Sequence, residues 1–355
     1  MAWFEHPTGD KLMKKILQQT ALAAGLMAVG FGVHAQTITL KVHHFLGPQT
    51  IQHTTMLGDW CRNIARDSKD RLKCDIFPAM QLGGTPVQLY EQTRDGVVDV
   101  AWTLQIHTPR LAKLEVFELP FMMTNAEATS RAAWDYAQKF AQDDFKDVKM
   151  LAIHVHGPGN IYTKAKPVTQ MADLKGMKVR APTRQSSRML ALMGATPVSM
   201  PVPQVPEALS KGVIDGAVIP YEVAPSLKVN ELTNFTAETD RTYNALYTTV
   251  FVMPMNKAKY DSLPADLKAV IDKNSGRELS AFMGKTQSGH DAVGKKVFEA
   301  SANQKISIIP KAELEKWKKA TDSLDDAWVA DMTSKGMDGK GMLQSATDLI
   351  KQYTK

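Results

Sequence analysis

The sequence predicts an α/β protein built as two similar lobes with a ligand cleft between them. Strand and helix signals alternate along the chain, so a mixed or parallel sheet flanked by helices is expected in each lobe. The segments QTRDGVVDVAW (Gln92 to Trp102) and ALSKGVIDGAVIP (Ala208 to Pro220) share one grammar: helix, glycine, two apolar residues, aspartate, apolar strand. A chain of 355 residues, 44% hydrophobic and 23% charged, is long enough for two such lobes.

The first element is not part of the globule. Met13-Lys14-Lys15 supplies a basic start, Ile16 to Val33 is mostly apolar or small, and Val33-His34-Ala35 is a small-x-small cleavage signal. This is the pattern of a secretory signal peptide cut after Ala35, with Met1 to Leu12 as extra leader. A retained anchor is the competing reading, but Gln18, Gln19, Thr20 and several alanines dilute the run below the roughly 20 apolar residues a span needs. No later stretch is long and apolar enough, so the mature chain is expected in the periplasm.

Removing Met1 to Ala35 takes away three lysines and two acids, which leaves 40 of 43 basic and 35 of 37 acidic residues. The excess of five positive charges is spread along the chain, which argues against nucleic acid as a partner and implies only a weak pull on anions.

Past Gln36, Ile38 to His43 alternates as a strand, Thr54 to Asp67 has helical spacing, and Lys73 to Phe77 reads as a second strand. Cys61 and Cys74 fall on that helix and strand. In an oxidising compartment they can form one disulfide, or stand as two separate buried thiols. Gly83-Gly84 opens a helix from Pro86 to Arg94, ended by Asp95-Gly96, and Val97 to Leu104 follows as a buried strand. The grammar restarts with strands at Met150 to His156 and Lys178 to Ala181, a helix from Arg184 to Met193, and a short strand at Thr196-Pro197-Val198. Pro203 to Lys211 is a helix stopped by Gly212, and Val213 to Ile219 a strand.

Several motifs together carry a family resemblance. LGGTPVQLYEQTRDGVVDVAW (Leu82 to Trp102), ELPFMM (Glu118 to Met123), DLKGMKVRAPT (Asp173 to Thr183), MGATPVSMPVPQVPEALSKGVIDGA (Met193 to Ala217) and MNKAKYDSLPADLKAVI (Met255 to Ile271) resemble the DctP-type solute-binding proteins of tripartite ATP-independent periplasmic (TRAP) transporters. The match runs from about Ile38 to the C-terminus. It implies a periplasmic-binding-protein clamshell, with lobe I taking residues 36–157 plus about 250–280, and lobe II 158–249 plus about 281–355. It also implies a small organic acid as ligand, one small and one large membrane subunit as partners, a monomer, and no cofactor.

By the same resemblance, the arginine of the KVRAP strand, Arg180, pairs bidentately with the ligand carboxylate. A planar guanidinium offers two parallel donors for that task, which lysine does not. The alternative is an ion pair from Arg180 to an acidic neighbour. Arg184, at the start of the next helix, is a second candidate for the anion.

Members that grip sialic acid carry a further arginine where this chain has Asn160-Ile161-Tyr162, and an asparagine where it has Ile219-Pro220-Tyr221. Apolar and aromatic residues there would leave a sugar acid's hydroxyls unpaired. The expected ligand is therefore an apolar or aromatic monocarboxylate, with 2-oxo and 2-hydroxy acids included. Tyr221, Phe45, Trp102 and Tyr162 are candidate walls against the alternative of core packing. His107 is a candidate donor, as are His43 and His44, although a strand cannot point both of the latter into one cleft. His154 and His156 share a strand face but lack a third metal ligand.

No GxSxG, HExxH, P-loop or dinucleotide fingerprint is present, so the chain is expected to bind rather than catalyse. The competing assignments are a binding protein for an ATP-driven importer or sensor, and a periplasmic enzyme.

Overall fold

Strand-forming sequence sorts into two sheets. In chain order the strands are β1 (Ile38–His44), β2 (Leu72–Phe77), β3 (Val100–Leu104), β4 (Val148–Val155), β5 (Gly159–Thr163), β6 (Lys178–Ala181), β7 (Thr196–Ser199), β8 (Gly216–Pro220), β9 (Phe235–Thr239), β10 (Val250–Asn256) and β11 (Lys305–Ile309). The computed structural model describes residues 1–3, 37–107 and 109–354, so the signal-peptide core and the cut after Ala35 lie outside the described residues. Ile38–Lys355 is a unit of its own, and among the described residues no helix is long and apolar enough to cross a membrane.

The first sheet runs β2-β1-β3-β10-β4 and the second β11-β9-β5-β8-β6-β7. Both are mixed. In the first, β1 is parallel to β2 and β3, and β10 lies antiparallel between β3 and β4. In the second, β6 is parallel to β7 and β8, while β5 is antiparallel to β8 and β9. The chain passes from the first sheet to the second between β4 and β5 and returns between β9 and β10, which makes a two-lobed clamshell. Two apolar clusters fill it, and each draws on both sheets: Val155 packs in one with Val179 and Val218, Val42 and Trp102 in the other with Ala217 and Ile219. The lobes therefore share their cores.

Alongside the helices Lys257–Ser262 and Ala265–Lys273 and shorter segments, the sheets are flanked by α1 (Gly58–Asp67), α2 (Leu89–Arg94), α3 (Ala126–Phe140), α4 (Arg184–Leu192), α5 (Val205–Ser210), α6 (Arg277–Ala300), α7 (Lys311–Thr321), α8 (Ser323–Ser334) and α9 (Gly339–Tyr353). The helix expected from Thr54 begins earlier and more loosely, as a wide π-helical segment Gln52–Leu57 that runs into α1. That geometry is often found at functional sites. Cys61 on α1 and Cys74 on β2 form a disulfide with Cα atoms 5.7 Å apart, which decides between the two readings of the pair.

The repeated motif folds the same way twice. Gly96 ends α2 and Gly212 ends α5 with φ of 78° and 68°. Val97 then donates its N–H to Gln92 O and Val213 to Ala208 O, each at 2.9 Å, a Schellman closure that only a left-handed residue permits. The strands consequently start three residues later than the apolar run suggested, at Val100 and Gly216, and Val97 and Val213 are exposed on the turns. The aspartates come next. Asp99 accepts the Lys41 N–H and Asp215 the Lys178 N–H, both at 2.8 Å, so each carboxylate pins a neighbouring strand, β1 at its middle and β6 at its first residue.

On the far edge of the first sheet, β4 is covered rather than left open. Ser280 on α6 accepts the Ile153 N–H and Ser130 on α3 the Val155 N–H, each at 3.0 Å. Helix α6 packs on α3 and β4, and farther along its Gln287 bonds Glu222 beyond β8. One continuous helix thus serves both lobes.

Two outcomes follow for stability. Asp215→Ala is expected to cost about 1.5 kcal/mol in urea unfolding, since a charge-assisted bond to Lys178 N–H is lost; a change below about 0.3 kcal/mol would remove the pinning role. Replacing both cysteines by serine is expected to cost about 2–3 kcal/mol, because the closed loop is short, with ligand affinity unchanged in calorimetry.

Candidate functional site

Strand β6 carries Val179, Arg180 and Ala181 into the interior before Pro182 turns the chain and Thr183 caps α4 by accepting the Ser186 N–H. Arg180 is only 3% exposed. Its Nε donates to Met200 O at 3.0 Å and its Nη1 to Val218 O at 3.1 Å, so two backbone carbonyls fix the guanidinium plane. Among the described residues Arg180 makes no ion pair, and it lines a cavity of about 530 Å³. Burial pushes its pKa down to about 10, which leaves it charged at neutral pH.

The cavity is walled on one side by stacked rings. Trp102 lies parallel to Phe251 at 4.5 Å between centroids and to Phe45 at 5.1 Å. Its Nε1 donates to His154 Nε2 at 2.8 Å, which satisfies the indole and holds the stack in place. Leu104, Met200 and Ile219 add apolar surface.

Near Arg180 the wall is polar. Tyr247 is buried, and its phenol lies within reach of the Arg180 charge yet has no hydrogen-bond partner. A Cβ at Gly159 would stand 1.8 Å from the Tyr247 ring, so glycine there is what lets the ring sit against β5. The Thr249 hydroxyl on the same cavity is also unpartnered. His156 lines the cavity too, with its pKa lowered to about 4 by burial, and is neutral.

A second polar group completes the lining: Gln52, Glu222 and Gln287. The Glu222 carboxyl receives Gln52 Nε2 at 2.8 Å and Gln287 Nε2 at 3.1 Å. Burial pushes its pKa up to about 8, and that of Asp291, whose Oδ1 accepts the Glu222 N–H, to about 7.

The sequence-derived candidates divide. Arg180, Phe45, Trp102 and Arg184 line the cavity. Arg184 is already committed, with its guanidinium on Glu115 and Asp331, so it is not a free anion donor. Tyr221 and Tyr162 are not among the lining residues. Tyr221 donates its hydroxyl to Glu238 at 2.8 Å, and both rings pack on Phe298, which places them in the core. The side chain of His107 lies outside the described residues. His43 bonds Gln92, and His44 bonds His53, away from the cavity. Sequence reading missed Gln52, Glu222, Tyr247, Thr249, Phe251 and Gln287. The one signal for them was the run Tyr247-Thr248-Thr249, polar residues directly before an apolar strand.

Three buried carboxyls set a pH dependence. Glu118, whose Oε1 accepts the Val250 N–H while Oε2 has no partner, is pushed up to about 8 by burial, like Glu222, with Asp291 at about 7. A raised folded-state pKa means that the native state binds more protons than the unfolded chain between about pH 4.5 and 8, so stability falls as pH rises through that window. Unfolding free energy is expected to be lower at pH 8 than at pH 5.5. Glu118→Gln is expected to flatten the slope by about 1.4 kcal/mol per pH unit at most; an unchanged slope excludes Glu118 as a source.

Residues 42–331 match the family described as bacterial extracellular solute-binding protein, family 7. The fold superposes with a TM-score of 0.88 on a TRAP solute-binding protein from Rhodoferax ferrireducens, 49% identical over 90% of this chain and 99% of that one, solved with copurified benzoate. A marine-metagenome TRAP solute-binding protein specific for aromatic acid ligands, solved with 3-hydroxybenzoate, is 43% identical over 90% and 100% of the two chains, with a TM-score of 0.87. One from Bordetella bronchiseptica, with bound mandelate, is 28% identical over 89% and 99%, at 0.82. A family match spanning most of the chain, together with the two mixed sheets around one cavity, makes this protein a member of the DctP family, a TRAP-type solute-binding protein.

Proposed function

We propose that the chain captures a small aromatic monocarboxylate in the periplasm and delivers it to the small and large membrane subunits of a TRAP transporter. The observation that carries this is a buried, cationic Arg180 without an acidic partner, set in a cavity whose wall is the Phe45–Trp102–Phe251 stack. Arg180 offers Nη2 and the second N–H of Nη1 to the carboxylate, and the unpartnered Tyr247 hydroxyl adds a donor. The ring lies against Trp102. Relatives solved with benzoate, 3-hydroxybenzoate and mandelate support the ligand class.

In this reading lobe I comprises residues 36–157 plus about 250–280 and lobe II the remainder, with α6 crossing the seam. The mature monomer begins at Gln36. Ligand closes the lobes because contacts from both exist only in the closed form. The protein does no chemistry; it binds and hands over.

Isothermal titration of the mature protein with benzoate, and with succinate as control, tests the reading. Benzoate is expected to bind and succinate not. Arg180→Ala is expected to weaken benzoate by about a hundredfold or more, the cost of leaving a buried carboxylate unpaired, and Trp102→Ala by about tenfold through lost ring contact. Unchanged affinity in Arg180→Ala removes the anchor, and succinate binding without benzoate removes the aromatic class.

A further inference from the structure

The Arg180 anchor and the ring stack account for a carboxylate and an apolar ring, but not for Gln52, Glu222 and Gln287. These three sit 1%, 7% and 0% exposed on the wall of the same cavity. Gln52 comes from the segment after β1, Glu222 from the turn after β8 and Gln287 from α6, so three distant parts of the chain converge there. Both glutamines turn their NH2 groups toward the Glu222 oxygens. A glutamine that donates its NH2 to Glu222 has its amide oxygen left over. Both oxygens, Gln52 Oε1 and Gln287 Oε1, are buried and have no partner.

An unpartnered buried acceptor is costly, and two on one cavity wall need a common explanation. Packing alone does not supply it, because leucine or methionine would fill the same space without the penalty. Two polar groups of the lining are complementary in sense: Arg180 and Tyr247 present donors, whereas Gln52 and Gln287 have acceptors left over. They share one chamber, for the Tyr247 phenol feels both the Arg180 charge and the Glu222 carboxyl.

We infer that Gln52 and Gln287, held in orientation by Glu222, form a second recognition subsite that accepts a hydrogen bond from a hydroxyl or amino substituent on the aromatic ring of the ligand. The preferred ligand is then an aromatic acid with a donor on its ring, not the bare acid. This rests on the reading of Arg180 as the carboxylate anchor. Glu222 is a positioning residue; the two amide oxygens make the contact.

The test is isothermal titration at pH 8.5, where a phenol, with a pKa of about 10, keeps its proton. Benzoate, 3- and 4-hydroxybenzoate, 3-aminobenzoate and 3-methoxybenzoate are compared on the wild-type protein, Gln52→Met and Gln287→Met. At least one hydroxy or amino acid is expected to bind about tenfold or more tightly than benzoate, while the methoxy acid, which cannot donate, gains nothing. In each methionine variant most of that preference, read as the ratio of the substituted acid's affinity to that of benzoate on the same variant, is expected to vanish. Equal affinities across the wild-type panel overturn the subsite and point to a resident water on the two oxygens. A preference that survives in both variants, or that the methoxy acid shares, overturns it as well. The wild-type panel alone decides if a variant fails to fold. If none of the acids binds, benzoate included, the anchor reading falls and the subsite with it.

Discussion

A guanidinium buried without a carboxylate beside it is the constraint around which the rest of this molecule is arranged. Desolvating Arg180 is expensive, and the chain offsets the cost with two backbone carbonyls, Met200 O and Val218 O, rather than with an acidic side chain. Carbonyls fix the plane and leave the charge uncompensated. An acidic side chain would have satisfied Arg180 internally and closed the site to anions. The strand order follows from this need: β8 lies beside β6 so that its backbone reaches the guanidinium, and the turn after β7 brings Met200 to the other side.

The aromatic wall depends on the same arrangement from the opposite lobe. Trp102 ends up flat between Phe45 and Phe251 because β1, β3 and β10 are adjacent in the first sheet, and because His154 on β4 accepts the indole N–H. The Arg180 cation stands on the second sheet and the Trp102–Phe251 pair on the first. The shared cores and the long α6 keep the two halves in register, so the site is a property of how the sheets face each other rather than of either sheet.

Much of this was legible in the sequence, and the reasons for the misses are physical. The duplicated helix-glycine-aspartate-strand motif revealed two equivalent lobes, because a left-handed glycine and an aspartate that caps a neighbouring strand leave a local signature. Arg180 was legible through its strand and the Pro182 stop. Phe45, just past β1, and Trp102, in the middle of β3, were candidate walls on the same footing as Tyr221, just past β8, which the structure packs against Phe298; an aromatic residue on or beside a strand does not reveal which side faces the cavity. Gln52, Glu222 and Gln287 lie 170 and 65 positions apart in their two contacts. Convergence over that distance leaves no local pattern, and Gln52 was hidden further because its helical segment is wide-turned.

The serine caps on β4 bear on how such a protein survives crowding. A sheet edge with free N–H groups is a template for another chain's strand, including the same strand of a second copy. Ser130 and Ser280 occupy two of those groups on the last strand of the first sheet, and helices α3 and α6 lie over it. The hydroxyls serve as a built-in guard against strand exchange at that edge.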